Sequence, residues 1–325
     1  MKVFLLFVVL LCVNYPGRCQ DSEGIRNQIT FLCDNNFFLF NGQDGYYTSG
    51  LFLKYDRLSA KPRGGLKKIF SFEAGQMIYN AHSRKILPVN QPNFPGGVEQ
   101  IDRPIAGYLF GKLSTSFFYS NNSMLKLGAF VGSTGKYSYG KDVQEFWHHV
   151  IGVKDYWNWI WDYQVNTEWS VNTQGVFAKS LLPANQPIFQ ITPVTQATLG
   201  TAFTNASQAV LFQFGKIRPM SSSSYWNSRL QVTATTDHRP IEVFIFYQPK
   251  VSYQLYNATV RGGLFITDKG PIISAVKPFV FSQEAGIRFS TTRYCIGYHL
   301  TFQTREAANQ FYRQSFGSIM GAIRF

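Results

Sequence analysis

Beyond its N-terminal segment this 325-residue sequence has no uncharged apolar run of about 18 residues, the length a membrane-spanning helix needs, so transmembrane helices are excluded. Cysteine is scarce. There are four, and Cys12 and Cys19 lie in the N-terminal segment, leaving only Cys33 and Cys295. Two cysteines in strand-like surroundings make no disulfide framework, and both are expected to be free and half-buried. Acidic residues are few, 18 Asp plus Glu against 31 Lys plus Arg, which gives a formal net charge of +13. No nucleic-acid-binding module accompanies that charge, so nucleic acid is not an expected partner. Anionic and especially phosphorylated lipid headgroups suit it better. Also absent are a Gly-x-Ser-x-Gly elbow, a Cys/His zinc spacing, a phosphate-binding loop, an internal repeat and any linker to a second domain.

What is present begins with an address. Met1-Lys2 followed by the apolar stretch Val3 to Val13 reads as a secretory signal peptide over residues 1–19, with Gln20 as the new N-terminus. Lipidation at Cys19 is the alternative, and Pro16-Gly17-Arg18 before it matches that poorly. Residues 20–325 are then one domain.

In that domain the dominant period is two. From Tyr294 to Gln303, large apolar residues hold one parity and small or polar ones the other. Val165, Thr167, Trp169 and Val171 repeat the pattern, as do Leu51, Leu53 and Tyr55, and Val210, Phe212 and Phe214. A soluble β-sandwich also alternates, with its apolar face turned inward. Here the segments run to about 10 residues or more and carry aromatics at their ends, which favours a barrel that is apolar outside and polar inside. Ile319, Gly321, Ile323 and Phe325 share one parity up to the last residue, as expected of a final strand that closes on the first. Twelve segments are expected, near 26–40, 46–57, 67–80, 104–119, 122–133, 162–178, 190–202, 206–217, 240–258, 279–291, 294–304 and 313–325. The fold class is therefore an all-β, transmembrane antiparallel outer-membrane barrel with both termini periplasmic. Connections 41–45, 81–103 and 134–161 then face outward. The long periplasmic connection 218–239 fits less well, and residues 305–312 read as a short helix.

Residues 140–152 break the period. Val143, Trp147 and Val150 fall at i, i+4 and i+7, one face of a short helix. Gln144 and His148 are four apart, so an amide stands beside an imidazole. A His beside a Trp on an amphipathic helix is more often a packing residue than a base. His149 lies about 100° around the same helix and is the alternative base. Asn35 and Asn36 equally suit the polar interior of a barrel wall, Asp44-Gly45 a hairpin turn, and Arg103-Pro104 the start of a strand.

Three motifs stand in order along the chain. Asp34-Asn35-Asn36 is followed by Asp44-Gly45-Tyr46-Tyr47-Thr48-Ser49-Gly50. Asp102-Arg103-Pro104-Ile105-Ala106-Gly107-Tyr108 comes next, and Gln144-x-x-x-His148 opens the helix, with Trp161-Asp162-x-Gln164 and Glu168 after it. Together these resemble the LpxR family of outer-membrane lipid A 3′-O-deacylases over nearly all of the mature chain. The resemblance implies a twelve-stranded barrel that hydrolyses an ester to release the 3′-acyloxyacyl group of lipid A, with lipopolysaccharide of the outer leaflet as partner and a monomer as the working unit. It also implies a His that activates water and a calcium ion that polarises the carbonyl, which suits ester hydrolysis. On that basis His148 is the base and Gln144 its support. Asn35 and Asn36 line the oxyanion or metal site, with Thr48 nearby, and Arg103 contacts an anionic headgroup.

The chain departs from the family at two positions. Asn36 stands where the family has Asp, removing a carboxylate from the expected calcium site, with Asp34 or Asp44 as substitutes. Lys154-Asp155 stands where the family has an acidic residue after the His, so Asp155 is the remaining candidate ligand. Two alternatives stay open: a phospholipase A-type esterase with a Ser nucleophile, and a non-catalytic lipopolysaccharide-binding or pore-forming barrel with a degraded metal site.

Overall fold

The computed structural model describes residues 24–39, 45–59, 66–82, 101–151, 158–184, 188–231 and 241–325. Residues 1–19, expected to be a signal peptide, and Asp44 and Asp155 lie outside the described residues. Twelve antiparallel strands form a closed barrel in which each strand pairs with its sequence neighbours and the last pairs with the first. The strands are β1 (Asn27–Asn35), β2 (Tyr46–Leu58), β3 (Lys67–Asn80), β4 (Ala106–Tyr119), β5 (Ser123–Thr134) and β6 (Trp169–Lys179). They continue with β7 (Phe189–Gly200), β8 (Phe203–Lys216), β9 (Glu242–Asn257), β10 (Phe279–Ser290), β11 (Tyr294–Gln303) and β12 (Gln314–Arg324). No helix among the described residues is long and apolar enough to cross a membrane.

The wall is inverted relative to a soluble sheet. Phe31, Leu53, Phe72, Leu113, Leu127, Val171, Ile245, Ile287, Ile296 and Phe302 are exposed, while Gln28, Thr30, Asp56, Ser71, Lys112, Asn172, Arg288 and Ser318 are buried. Closure leaves no strand edge unpaired, which a bilayer core requires because no water is there to satisfy a free N–H or C=O. At the seam Gln28 pairs in register with Arg324. Inside the barrel the Arg324 Nε donates to Gln28 Oε1 at 2.6 Å and its Nη1 to Ser290 Oγ at 3.1 Å. Cys33 and Cys295 are free, as expected, and fully rather than half buried.

Two expectations need correction. Residues 305–312 are not a helix: Ala307 forms a bridge with Val276. The Gln310 side chain accepts from the backbone N–H groups of Glu306 and Ala307 at 3.0 and 3.3 Å, so an amide side chain takes the donors a helix would use. β6 begins only at Trp169, because Asn158–Tyr163 closes into a 3₁₀ turn.

The connection after β8 is where expected, and its described part, residues 217–231, crosses the periplasmic mouth of the lumen. Met220 and Leu230 pack with Leu58, Ile69, Phe118, Met124 and Ala178 from five strands. Glu242 accepts from Ser223 Oγ at 2.7 Å and from the Ser224 N–H at 2.8 Å, and Asn227 accepts from Gln28 at 3.0 Å. The Lys67 ammonium donates to the carbonyl oxygens of Ser221 (2.7 Å), Ser228 and Leu230. The segment has no strand pattern because it is a plug held by lumen-facing side chains. Lys67→Met should release it at a cost of about 3 kcal/mol, since hydrogen bonds to a charged donor are the strong ones. Hydrogen exchange at 218–231 should rise in the variant while the strands stay protected.

Candidate active site at the outer rim

The helix expected over 140–152 is present as α1 (Gly140–Ile151). It lies against the outside of the barrel. On β3, Phe70 and Phe72 are exposed to the lipid side, and Gln76, Ile78 and Asn80 continue that parity towards the outer rim. There Ile78 packs with Ile101, Ile105, Ile160 and Trp161, and Val143 of α1 packs on the same cluster. Gly107 permits the approach: a Cβ there would come within 3.3 Å of the Gly140 Cα and still closer to the Ser138 side chain. Gln76 donates to the Ser138 carbonyl at 2.6 Å and fixes the entry to the helix. The helix face differs in part from expectation. Val143 is covered, but Val150 is 45% exposed and Phe146 61%.

Under α1 a chain of amides and hydroxyls joins three elements. The register of β2 against β3 slips between Tyr47 and Ser49, so Thr48 is a bulge residue. Bulges re-aim side chains, and here Thr48 Oγ accepts from Asn80 Nδ2 at 3.1 Å while donating to the Tyr46 carbonyl at 3.3 Å. Asn80 Nδ2 also reaches Gln144 Oε1 at 3.4 Å, and the Trp161 indole N–H donates to the same oxygen at 2.9 Å. An indole nitrogen can only donate, so this contact fixes which end of the Gln144 amide is oxygen. Gln144 Nε2 is consequently turned elsewhere, and it is buried without a hydrogen-bond partner, as are Asn80 Oδ1 and Asn36 Oδ1. His148 lies one turn further along α1 and is half-buried, whereas His149 is exposed.

The other expected residues divide. Asn35, at the outer end of β1, has the outward parity of Ile29 and Phe31, and its Oδ1 accepts from the Phe37 N–H at 2.8 Å, capping the 3₁₀ turn Asn36–Leu39. Asn36 is buried and donates to the Gly45 carbonyl at 2.9 Å, beside the start of β2. Asp34 is not with them. It points into the lumen, where it accepts from the Tyr47 hydroxyl at 2.8 Å and lines a cavity of about 260 Å³ with Glu284, His299 and Ser318.

Arg103 is not available to a headgroup. Its side chain is fully buried; Nε and Nη2 donate to Glu306 Oε1 at 3.0 and 2.7 Å, Nη1 to the Pro104 carbonyl at 2.9 Å, and Nη2 also to Thr259 Oγ at 3.0 Å. The guanidinium sits 4.1 Å above the Tyr79 ring. Asp102 beside it accepts from the Tyr46 hydroxyl at 2.5 Å and from the N–H groups of His82 and Phe311 at 3.0 and 3.1 Å. The Asp-Arg-Pro motif is thus a brace that ties three outer connections together.

Asn80 escaped the sequence reading, although a signal existed: after Phe70, Phe72 and Ala74 on the lipid-facing parity of β3, Gln76 and Asn80 are amides facing where lipid should be.

The donor set can be tested against calcium. Asn36 and Asn80 offer unpaired oxygens of the right kind, but both are neutral, and calcium gains affinity from ligand charge. Among the described residues no group of three or more His, Cys, Asp or Glu is placed to share a metal, and Asp34 is on the other side of the wall. The described residues at the rim therefore supply no carboxylate to a calcium site, and the candidates Asp44 and Asp155 lie outside the described residues.

The sequence matches the family described as outer membrane protein LpxR over residues 4–325. The chain belongs to the LpxR family. It is therefore an outer-membrane protein of bacteria. Among solved structures, LpxR from Salmonella typhimurium superimposes with a TM-score of 0.71 at 17% identity, covering 92% of this chain and all of that one. The β domain of the Bordetella autotransporter BrkA is a more distant match, with a TM-score of 0.47 at 8% identity, covering 93% of this chain and 99% of that one. No curated protein sequence matches the chain significantly. The LpxR likeness shares the closed twelve-stranded barrel described above.

Proposed function

We propose that the protein is a lipid A deacylase that hydrolyses the ester of the 3′-acyloxyacyl group at the outer rim of its barrel. The observation that carries this is the fixed Gln144 amide, with an unpaired N–H directed away from Trp161, one helical turn from His148 on the outside of the wall. An outward-facing site meets a lipid substrate without drawing it from the membrane.

In this reading His148 takes a proton from water as the oxygen adds to the ester carbonyl carbon. The carbonyl oxygen becomes an oxyanion, which accepts from Gln144 Nε2, a donor already desolvated and oriented. The tetrahedral intermediate collapses by breaking the bond to the 3′ oxygen. The imidazolium returns its proton to that alkoxide, leaving a sugar hydroxyl and a free carboxylic acid. Trp161 and Asn80 hold the Gln144 oxygen so that its nitrogen stays aimed, Thr48 anchors Asn80, and Asn35 and Asn36 shape the turn beside them. Calcium, expected from the family resemblance, takes no part in these steps.

Gln144→Glu keeps the size and the acceptor for Trp161 but removes the N–H. It is expected to lower kcat about 100-fold with KM little changed, the loss typical of one oxyanion donor. Acyl release by purified protein from micellar lipid A measures it. A Gln144→Glu variant as active as the parent, or a serine-directed probe that labels the protein and stops turnover, would replace this scheme with the Ser-nucleophile alternative. A pore reading meets the plug at 217–231, which crosses the lumen.

A further inference from the structure

The guanidinium expected to hold a headgroup, Arg103, is locked inside the barrel rim, yet what it locks is instructive. Its partner Glu306 belongs to the connection between β11 and β12, and the pairing neutralises the acidic group of that connection. Arg305 and Arg313 are displayed at the surface on either side. Between them Phe311 and Tyr312 are each 56% exposed. These aromatics lie just beyond the outer end of β12, at the level where a barrel's interfacial aromatics meet the headgroups.

The connection also adjoins the site. The Tyr312 N–H donates to the Tyr46 hydroxyl at 2.9 Å, and Tyr46 in turn receives the Thr48 hydroxyl through its carbonyl. The His82 ring lies between, 5.6 Å from Tyr46 and 4.8 Å from Tyr312. Residues 258–278 are stitched alongside: Lys277 N–H to the Glu306 carbonyl and Ala308 N–H to the Ala275 carbonyl, both 2.8 Å. Across the two connections Arg261, Lys269, Lys277, Arg305 and Arg313 outnumber Asp268 and the neutralised Glu306, and the carboxylates of Asp102 and Glu168 that reach these connections are taken up by the N–H groups of Phe311, Phe265 and Ile266.

We infer that residues 305–313 form a wall of the site that recognises the phosphorylated sugar headgroup of its lipid, with Arg305 and Arg313 on the phosphate and Phe311 and Tyr312 on the sugar rings. This rests on the deacylase reading for its substrate. Guanidinium forks match phosphate oxygens, and exposed rings beside them give an apolar ledge for a sugar face. The cationic patch and the amide chain then read opposite ends of one molecule.

The test is binding of micellar lipid A, phosphorylated or enzymatically dephosphorylated, to the full chain. Arg305→Ala/Arg313→Ala should weaken binding of the phosphorylated lipid about ten-fold and leave the dephosphorylated lipid unaffected. Phe311→Ala/Tyr312→Ala should weaken both. Heat-modifiable migration on gels confirms that each variant is a folded barrel. Equal binding of the two lipids by the parent, or an unchanged double-arginine variant, overturns the inference. So does displacement of the lipid by inorganic phosphate at equal concentration, which would make this a free-phosphate site. Charge-dependent binding without acyl release supports the wall and removes the chemistry, while acyl release with charge-blind binding does the reverse.

Discussion

Purified protein carrying His148→Ala should release acyl chains from lipid A more slowly by about 10²–10⁴, the range general base catalysis supplies. The loss should fall on kcat, because a proton acceptor is needed as water attacks and not when lipid docks. His149→Ala is the control. His149 is exposed on α1 and outside the amide chain, so its removal should leave the rate within about twofold, as for ordinary surface substitutions. A reversal of the two results would move the base to His149 and detach it from Gln144.

Arg103→Ala should damage the fold more than any other single change considered. It leaves Glu306 buried without its cation and strips donors from Thr259 and the Pro104 carbonyl. Breaking one partner of a buried ion pair costs about 3–5 kcal/mol. The barrel should survive, because its twelve-strand ladder does not depend on the brace, but the outer connections should loosen. The expected signs are a lower unfolding temperature and proteolysis within 258–278 and 304–313. Arg103→Met with Glu306→Leu should recover most of the loss, since an apolar pair leaves no unpaired charge. If Arg103→Ala instead weakens lipid binding with no loss of stability, the residue is a headgroup ligand after all.

Most of the barrel was legible because a lipid-facing wall writes a strict period of two into the sequence. All twelve expected segments correspond to strands. The failures share a cause in side chains that act on distant backbone. Gln310 caps its own loop and so removes the helix expected at 305–312. Lys67 and Glu242 hold 217–231 in the lumen, a tie that spans more than 150 positions in the first case and leaves no local pattern. Motif and helical spacing brought Gln144, Thr48 and His148 forward as candidates, and the structure places Thr48 and Gln144 on one amide chain with His148 a helical turn away. Asn80 left only the faint mark of an amide on a lipid-facing parity, because its contact with Thr48 comes from a bulge that no periodicity announces. The family resemblance implies a headgroup contact for Arg103, whereas the partner it meets, Glu306, lies 203 positions away and leaves no local pattern. The neutral Asn36 was visible as a departure from the family, and the structure adds that Asp34, on the other face of the same strand end, does not replace it.

The central claim is that an outward-facing amide and imidazole on α1 cleave a lipid A ester. Mass spectrometry of lipid A from bacteria expressing the protein, beside bacteria expressing Gln144→Glu and His148→Ala, addresses it most directly. The expected result is a species lighter by one acyloxyacyl group with the parent protein and little or none with either variant. Identical spectra from all three, with each protein folded in the outer membrane, would contradict it.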